Sequence, residues 1–333
     1  MRALPAWPSS PARNVPEAAP QAVPRRHRLD NEVEGKTYEA AGVSLALADS
    51  IVERLRAAVE STGTTGFGTF AGLYPLDEQR LLAASMDSAG TKLVLARKAE
   101  RLRSIGGDLT AHCINDVITT GAEPLFFLDY VVGHQVELEQ VAELVEGAAE
   151  TCRAAGCALL GGETAEMPGV YREQELDFAG TCVGLVERER VIDGSRVEAG
   201  DVVLGFPSSG LHTNGFSLVR KLVGDSEFDA DLLLAPHRLY VDEVRGLRDR
   251  ADVKALAHVT GGGILGNIAR VLPESRSAEI DWQAWERPPV YAWLTEQGVD
   301  EEEQRRVFNV GIGMCAVVPE RDADAVQVIG RIT

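Results

Sequence analysis

Nine residues from Gly161 to Gly169 read GGETAEMPG, and they constrain this chain more than any other segment. Gly161 and Gly162 let a ligand approach the backbone where a Cβ would collide. The carboxylates that follow, beginning with Glu163, are suitable ligands for a magnesium ion. Such an ion keeps several water ligands and is also coordinated by phosphate oxygens of a substrate. The final Pro-Gly pair predicts a turn. The segment therefore predicts a strand that ends at a cation and phosphate site, and the simpler alternative is an acidic turn.

A second polar segment follows an apolar stretch, Leu81–Met86, that predicts a strand. It runs from Asp87 to Lys92 and reads DSAGTK. An acid for a metal and an ammonium for a phosphate, separated by small residues, indicate a nucleotide-phosphate corner. No GxxxxGK[ST] string occurs in the sequence, which disfavours the ordinary P-loop fold.

The next candidate segment, His112–Asp116, reads HCIND within a predicted helix. Apolar residues at helical spacing form one stripe and leave His112, Asn115 and Asp116 toward the other face. A polar helix face is most often only solvated, so Asp116 is a ligand candidate because of its companions. The following Leu125–Tyr130 predicts a strand too apolar to be exposed.

Two glycine-containing turns in the second half of the chain each follow a predicted strand and carry one histidine. One contains His212 in the sequence SSGLHTNG, and the other follows His258 in HVTGGG. A helix that starts after such a turn directs free N–H groups toward an anion. The second turn is the candidate site for the ribose 5-phosphate of a substrate, and the alternative is a glycine-rich helix start without a ligand. Both histidines can titrate near neutrality and serve as general acids or bases, although a histidine at a strand end can also cap the backbone.

Hydrophobic periodicity predicts the remaining elements. Ser44–Glu60 is an amphipathic helix with Ser44 as N-cap and with Ile51, Val52 and Leu55 among its inward residues. Further helices are predicted over Glu137–Ala155, Phe216–Leu222 and Ile264–Val271, and strands over Cys157–Leu160, Asp177–Val186, Val202–Phe206 and Val253–His258.

The strings MDSAGTK, ND, GAEPLFFLDY, GGETAEMPG, SSGLHTNGFSLVRK and HVTGGG occur in this order. From about Tyr38 to Thr333 the chain resembles phosphoribosylformylglycinamidine cyclo-ligase, also called aminoimidazole ribonucleotide synthetase. That family belongs to the ATP-binding superfamily of selenophosphate synthetase and thiamin-phosphate kinase. The resemblance implies an α/β (α+β type) fold with two domains, mixed sheets and flanking helices.

The chain's 333 residues exceed the usual size of one hydrophobic core, which favours two domains. We predict an N-terminal ATP- and magnesium-binding and dimerisation domain over 37–190, and a C-terminal substrate-binding α/β domain over 191–333. Residues 1–36 are rich in Pro and Ala with a basic cluster, which predicts a disordered extension. A tail or an early start codon is favoured over a transit peptide.

The resemblance implies that ATP and formylglycinamidine ribonucleotide become aminoimidazole ribonucleotide, ADP and phosphate, as a step of de novo purine (IMP) biosynthesis. Phosphoryl transfer turns the formyl amide oxygen into a leaving group, and the amidine nitrogen then closes the ring. Such a reaction depends mostly on positioning and charge neutralisation.

These roles suggest specific residues. We predict that Asp87, Asp116 and Glu163 bind Mg²⁺ around one triphosphate, and that Lys92 contacts phosphate. His212 and His258 are the predicted proton carriers. The predicted ATP and phosphate contacts are Gly66, Gly68, Gly90, Thr91, Lys92, Asn115, Gly161, Gly162, Thr164, Asn214, Gly261, Gly262 and Gly263.

Composition limits the partners and the compartment. The net charge of −18 argues against nucleic acid, and no apolar stretch reaches the roughly 20 residues of a membrane span. Five cysteines without a CxxC pair indicate reduced thiols and a cytoplasmic location. The resemblance also implies a homodimer in which the first domains join their sheets near the active sites, with Phe126, Phe127 and Tyr130 suited to that interface.

Some residues depart from the family pattern. Ser88 replaces the first glycine of the usual DGVGTK, and Glu39 and Ser44 replace a lysine and an aspartate of an earlier motif. Two alternatives therefore stay open: another ATP-dependent, kinase-like member of the superfamily, or a non-catalytic nucleotide-binding paralogue. No cysteine precedes Cys113, which counts against a selenophosphate synthetase.

Overall fold

The computed structural model describes residues 36–62, 68–323 and 326–333. The predicted extension therefore lies almost entirely outside the described residues, as does Gly66. In the described ranges, no helix combines the length and the apolar character that a membrane crossing requires.

The helices are α1 Leu45–Glu60, α2 Lys92–Lys98, α3 Leu102–Ile118, α4 Leu138–Ala155, α5 Phe216–Val223, α6 Ala230–Leu233, α7 Val241–Arg248, α8 Gly263–Ala269, α9 Val290–Glu296 and α10 Glu301–Val307. The strands are β1 Gly72–Pro75, β2 Arg80–Ser88, β3 Glu123–Gly133, β4 Ala158–Glu166, β5 Leu176–Glu187, β6 Val202–Pro207, β7 Ala255–His258, β8 Ala278–Ile280, β9 Ile312–Val318 and β10 Val328–Ile332.

The first sheet contains five strands in the order β1-β2-β5-β3-β4. Only the β3–β4 pair is parallel, and the other pairs are antiparallel. The buried side chains of Phe127 and Cys182 point toward α3, which packs on this face together with α4. The other face carries exposed apolar side chains such as Met86 and Leu128.

Strand register decides on which face each predicted acid lies. Asp87 pairs with Gly180, and Gly180 pairs with Asp129, so this row shares the face covered by the helices. Because side chains alternate along a strand, the next row lies on the opposite face. Glu163 belongs to that next row, since it pairs with Tyr130.

The second sheet contains five antiparallel strands in the order β7-β9-β6-β10-β8. The predicted α5 and α8 begin within one residue of their expected starts, directly after the glycine-containing turns. These two mixed α/β layers confirm the predicted fold class. His212 follows the C-terminal end of β6 and His258 is the last residue of β7, and the two rings meet through His237 beside Asp116 of α3.

Helix α1 begins as predicted, because the Ser44 side chain accepts a hydrogen bond from Leu47 N at 3.2 Å. Its predicted burial is wrong. Ile51, Val52 and Leu55 remain 38–49% exposed. Part of the apolar stripe faces an open cavity of about 870 Å³ instead of the core, and the far wall of that cavity contains Gly261 and Gly262.

Helices α3 and α4 pack at a distance that only glycine permits. A Cβ on Gly106 would lie 1.9 Å from the Leu144 carbonyl oxygen, and a Cβ on Gly147 would lie 1.9 Å from the Arg103 carbonyl oxygen. Both overlaps involve backbone atoms, which cannot move without displacing a helix. Because α3 also carries Asp116, this contact fixes the helix that supplies the site.

We therefore expect Gly147→Ala to lower the free energy of unfolding by about 1–3 kcal/mol or more, as overpacking does in a core. Urea denaturation measures this change. Gly246→Ala is the matched control, because a Cβ there meets only the flexible end of Arg250 at 3.4 Å. That control should gain up to about 1 kcal/mol from helix propensity. Equal stability of the two variants would contradict the close packing.

Candidate active site

Four of the chain's six histidines gather where α3 meets the second sheet. His112 comes from α3, His212 from the turn after β6, His237 from the segment before α7, and His258 from the end of β7. The ring centroids of His212 and His237 lie 4.0 Å apart in a stacked arrangement, and those of His237 and His258 lie 5.1 Å apart. All four rings are buried.

Two of the predicted carboxylates join this cluster. Asp87 Oδ2 lies 2.9 Å from His112 Nε2, and Asp116 Oδ1 lies 2.8 Å from His258 Nδ1. The other oxygen of Asp116 accepts a hydrogen bond from Ser85 at 3.0 Å and lies 3.9 Å from His112 Nε2. The structure therefore brings Asp87 and Asp116 to the same nitrogen, Nε2 of His112.

The direction of each hydrogen bond in the cluster follows from these carboxylates, which only accept. His258 must donate from Nδ1 to Asp116, so its Nε2 accepts from His237 Nε2 at 3.0 Å. His237 Nδ1 is then an acceptor for the Thr213 hydroxyl at 3.4 Å. That hydroxyl oxygen accepts from His112 Nδ1 at 2.8 Å.

His112 consequently donates from both nitrogens, to Asp87 and to Thr213, which requires the charged imidazolium. Its pKa agrees with this assignment. Burial alone would lower the pKa of His112, but the attraction and hydrogen bond of Asp87, together with the attraction of Asp116 and Asp108, outweigh it and raise the pKa to about 9. Burial lowers the pKa of His212, His237 and His258, so these three rings are neutral.

His212 keeps a proton that the described residues do not use. Its Nε2 accepts from the Arg238 backbone N–H at 3.4 Å, so the neutral ring carries its hydrogen on Nδ1. That Nδ1 is buried and has no hydrogen-bond partner in the described part of the chain. A buried unpaired donor is costly. The His212 side chain is completely buried, as that of Lys92 is, so a substrate atom can pair with this donor only if the surrounding residues move.

Lys92 lies elsewhere than predicted. Its side chain is completely buried, and Nζ lies 2.6 Å from Asp108 Oδ2 and donates to the Ala235 carbonyl at 3.0 Å. The other Asp108 oxygen accepts from the His237 backbone N–H at 2.6 Å. Because the ammonium is enclosed by protein, this placement disagrees with a direct phosphate contact. The pair instead fixes the segment that carries His237.

Glu163 does not join the other two acids within one chain. It is exposed on β4, three strands away from Asp87 in the sheet order, and it faces the side opposite the helices. Thr164 is exposed on the same strand. The alternation of side chains along strands is the physical reason, since Asp87 and Glu163 belong to adjacent rows of the sheet. The expectation that all three acids converge in a single chain is therefore not met.

The glycines of the GGETAEMPG segment have different reasons to be glycine. Gly161 has φ +138°, which disfavours any side chain. A Cβ on Gly162 would lie 2.1 Å from the carbonyl oxygen of Asp129 on the neighbouring strand. Gly162 is thus required by the close approach of β3 and β4, whether or not a ligand binds.

The remaining predicted contacts are divided between the two halves. Thr91 follows Gly90, whose φ is +58°, and its hydroxyl lies 3.3 Å from that of Ser217. Asn115 donates to the Arg238 carbonyl at 2.8 Å and accepts from Tyr240 N at 3.0 Å, so it joins the two halves.

In the turn Gly261–Gly263, one glycine is required by close packing and another borders open space. A Cβ on Gly263 would lie 1.9 Å from the Arg305 carbonyl, whereas Gly261 has open space around it. Gly68, Gly261 and Gly262 line the 870 Å³ cavity beside α1. Asn214 has a buried side-chain nitrogen without a partner among the described residues.

Four residues of the cluster were given no role by the sequence analysis: His112, Thr213, His237 and Asp108. Their roles depend on contacts with residues 16 to 129 positions away in sequence, which no local pattern reveals. One signal was available for His237. It follows Pro236 directly before a helix, and it is one of only six histidines, three of which already lay in candidate segments.

Comparison with known sequences assigns both halves of the chain to the same family. A family model described as AIR synthase related protein, N-terminal domain, matches residues 68–186, and its C-terminal counterpart matches residues 198–331. The chain therefore belongs to the family of AIR synthase related proteins. Relatives named phosphoribosylformylglycinamidine cyclo-ligase, from Paraburkholderia phymatum and Burkholderia vietnamiensis, are each 42% identical over 330 residues, which is 94% of this chain and 91% of theirs.

Solved structures share the fold at low identity. Thiamine monophosphate kinase from Aquifex aeolicus aligns with a TM-score of 0.58 at 18% identity, covering 86% of this chain and 94% of the kinase. The hydrogenase maturation protein HypE aligns with a TM-score of 0.60 at 20% identity over 79% of this chain and 82% of its own. T. maritima PurL complexed with FGAR aligns with a TM-score of 0.58 at 17% identity over 81% of this chain and 44% of its own.

The role of Lys92 can be tested through its buried ion pair with Asp108. We expect Asp108→Asn and Lys92→Met to lower kcat alike, because each releases the segment that positions His237. Breaking a buried ion pair also costs roughly 3–5 kcal/mol of stability. Steady-state kinetics and urea unfolding measure the two effects.

Lys254→Met is the matched control, because Lys254 and Asp201 form a buried pair in the second half with Nζ–Oδ2 2.9 Å apart. It should lose comparable stability and keep its kcat at a temperature where it is folded. A rise in the KM for ATP in Lys92→Met that Asp108→Asn does not share would instead indicate a phosphate contact by Lys92.

Proposed function

We propose that this chain catalyses the ATP-dependent cyclisation of formylglycinamidine ribonucleotide to aminoimidazole ribonucleotide, with release of ADP and phosphate, in de novo purine biosynthesis. The observation that carries this proposal is the 42% identity over 94% of the chain to relatives named for that ligase reaction. The buried polar cluster at the meeting of the two halves supplies the groups that such a reaction needs. The location that this pathway implies is the cytoplasm.

ATP is the proposed nucleotide. Structures of two fold relatives, AaThiL and T. maritima PurL, are described as complexes with AMPPCP, an ATP analogue. In this chain the open glycine segments at Gly68, Gly90 and Gly261 leave room for phosphate oxygens beside the backbone. We propose that these segments, with the 161–164 strand end, contact the nucleotide.

Ring closure moves protons, and the cluster supports that step. His212 offers an Nδ1–H donor that the described residues leave unpaired, which suits donation to a substrate oxygen or nitrogen. His258 is held by Asp116 in one tautomer, with its Nε2 lone pair toward His237. In this arrangement the neutral His212 donates a hydrogen bond and not a proton, and His258 receives a proton only from His237, whose Nε2 is hydrogen-bonded to its Nε2.

Magnesium is the proposed cofactor, and two carboxylates fit it. Asp87 and Asp116 offer hard oxygen ligands, and the Asp87 side chain is 41% exposed beside the buried cluster. When bound, the ion would neutralise charge on the transferred phosphoryl group. His112 now pairs with Asp87, so the imidazolium occupies one of the positions that a cation would take. Glu163 fits such a site only if a second chain contributes.

A homodimer is the proposed assembly. The exposed face of the first sheet carries Tyr74 at 69%, Met86 at 68% and Leu128 at 41% exposure. Phe127, which was expected at this interface, is already buried against α3 on the opposite face. Because Glu163 shares the exposed face, joining two such sheets would place it at the junction between the chains.

The activity test combines the purified chain with ATP, magnesium and formylglycinamidine ribonucleotide, and measures aminoimidazole ribonucleotide. We expect product, and a loss of at least about 10²-fold in kcat for Asp116→Asn, on the scale of a lost electrostatic contact at an active site. Asp242→Asn is the control, since that side chain is 87% exposed. ADP without the ring product would favour a kinase-like enzyme, and ATP binding without turnover would favour a non-catalytic paralogue.

The assembly is tested by analytical ultracentrifugation. We expect the wild-type chain to sediment as a dimer and Leu128→Glu to sediment as a monomer, because a charge would then be buried between two sheets. Leu138→Glu is the matched control, since Leu138 is 80% exposed at the start of α4, away from the sheet face. A monomeric wild-type chain, or a dimer that Leu128→Glu leaves intact, would reject this interface.

A further inference from the structure

A second cavity lies in the groove between α2, α5 and the segment 40–43. Its volume is about 800 Å³. Three cations line it, Lys98 from the last turn of α2 and Arg220 and Lys221 from the last turn of α5. The only acid in its described lining is Asp225. The side chains that line this cavity therefore carry a formal charge of +2, from three cations and one acid, whereas the whole chain carries −18. The cavity is thus opposite in charge to the protein as a whole.

The cations of this groove are not neutralised by the protein. Within the described ranges, Lys98 and Arg220 have neither an ion-pair partner nor a side-chain hydrogen bond. Lys221 donates only to the backbone carbonyl of Ala40, at 3.1 Å. Cations commonly occupy the last turn of a helix, where they complement its dipole. That preference explains each residue separately, but it does not explain why two helices direct their cations into one groove.

Another cavity of the same chain shows the usual arrangement. It has a volume of about 690 Å³ and is lined by four arginines, and each of them pairs with a carboxylate. The pairs are Arg190–Glu187 at 3.1 Å, Arg196–Asp252 at 2.6 Å, Arg245–Glu123 at 2.7 Å and Arg248–Glu123 at 3.3 Å. Cationic side chains in that cavity are thus occupied, whereas those in the groove are available to a ligand.

Hydroxyl groups and apolar walls complete the groove. Thr91 Oγ1 and Ser217 Oγ line the groove and are hydrogen-bonded to each other at 3.3 Å, and each hydroxyl oxygen can also accept a hydrogen bond from a ligand. Val43 and Val94 supply apolar wall. Cations recognise phosphate through short charge-assisted hydrogen bonds, and hydroxyls add further contacts to phosphate or sugar oxygens.

We propose that this groove binds the phosphate end of a phosphorylated small molecule. Lys98, Arg220 and Lys221 neutralise the phosphate, and the hydroxyls of Thr91 and Ser217 contact the adjoining polar part of the ligand. This site is separate from the histidine cluster. The inference rests on the charge and shape of the groove and not on the proposed cyclisation, so either can fail without the other.

Calorimetric titration of the full chain with ribose 5-phosphate tests the proposal, with ribose, inorganic phosphate and ATP as parallel ligands. We expect saturable binding of ribose 5-phosphate and none of ribose. The double variant Lys98→Met, Arg220→Met keeps apolar stems but removes two charges, and it should weaken binding at least tenfold. If ATP is the tighter ligand and loses affinity in the same variant, the phosphate class stands and the ligand is a nucleotide.

The matched control is the double variant Arg190→Met, Arg196→Met in the neutralised cavity, which should bind as the wild type does. Thermal unfolding confirms that each variant is folded, and the single Lys98→Met variant, at an exposed surface residue, gives a second measurement. The proposal is overturned if no phosphate ligand binds saturably. It is also overturned if both double variants weaken binding equally, or if neither does.

Discussion

The buried ion pair between Lys92 and Asp108 is the interaction on which the geometry of the site depends. An isolated charge in a protein interior is expensive, so each member of the pair requires the other. Lys92 also holds the carbonyl of Ala235, and Asp108 holds the backbone N–H of His237. The pair therefore ties the first half of the chain to a segment of the second half. The stacking of His237 on His212 follows from that attachment.

The histidine cluster is ordered by carboxylates in the same way. Asp116 fixes the tautomer of His258. That tautomer makes His237 the donor to His258, and it makes Thr213 the donor to His237. Asp87 then stabilises the charged form of His112 at the edge of the cluster. One imidazolium and three neutral rings result, so the repulsion between four adjacent histidines is avoided. The proposed proton transfer and cation binding both start from this charge distribution.

Local patterns predicted the local structure well, and contacts between distant residues limited the rest. The Ser44 cap, the helix starts after both glycine turns and the strand carrying Asp87 are short-range features that propensity and periodicity determine. The partner of Lys92 lies 16 positions away on another helix, so a lysine after an acid and small residues could not be distinguished from a phosphate ligand. The apolar stripe of α1 has the periodicity of a buried face, but periodicity does not show what lies opposite.

The contact between Gly162 and Asp129 affects how related sequences are to be interpreted. Because the neighbouring backbone excludes even a methyl group at this position, selection for a stable sheet is sufficient to retain the glycine. A homologue that had lost its catalytic function could keep the double glycine for as long as it folded. Inactive descendants would then be recognised by replacement of the histidines or of Asp116. The double glycine of the GGETAEMPG segment would be retained in them because the sheet requires it.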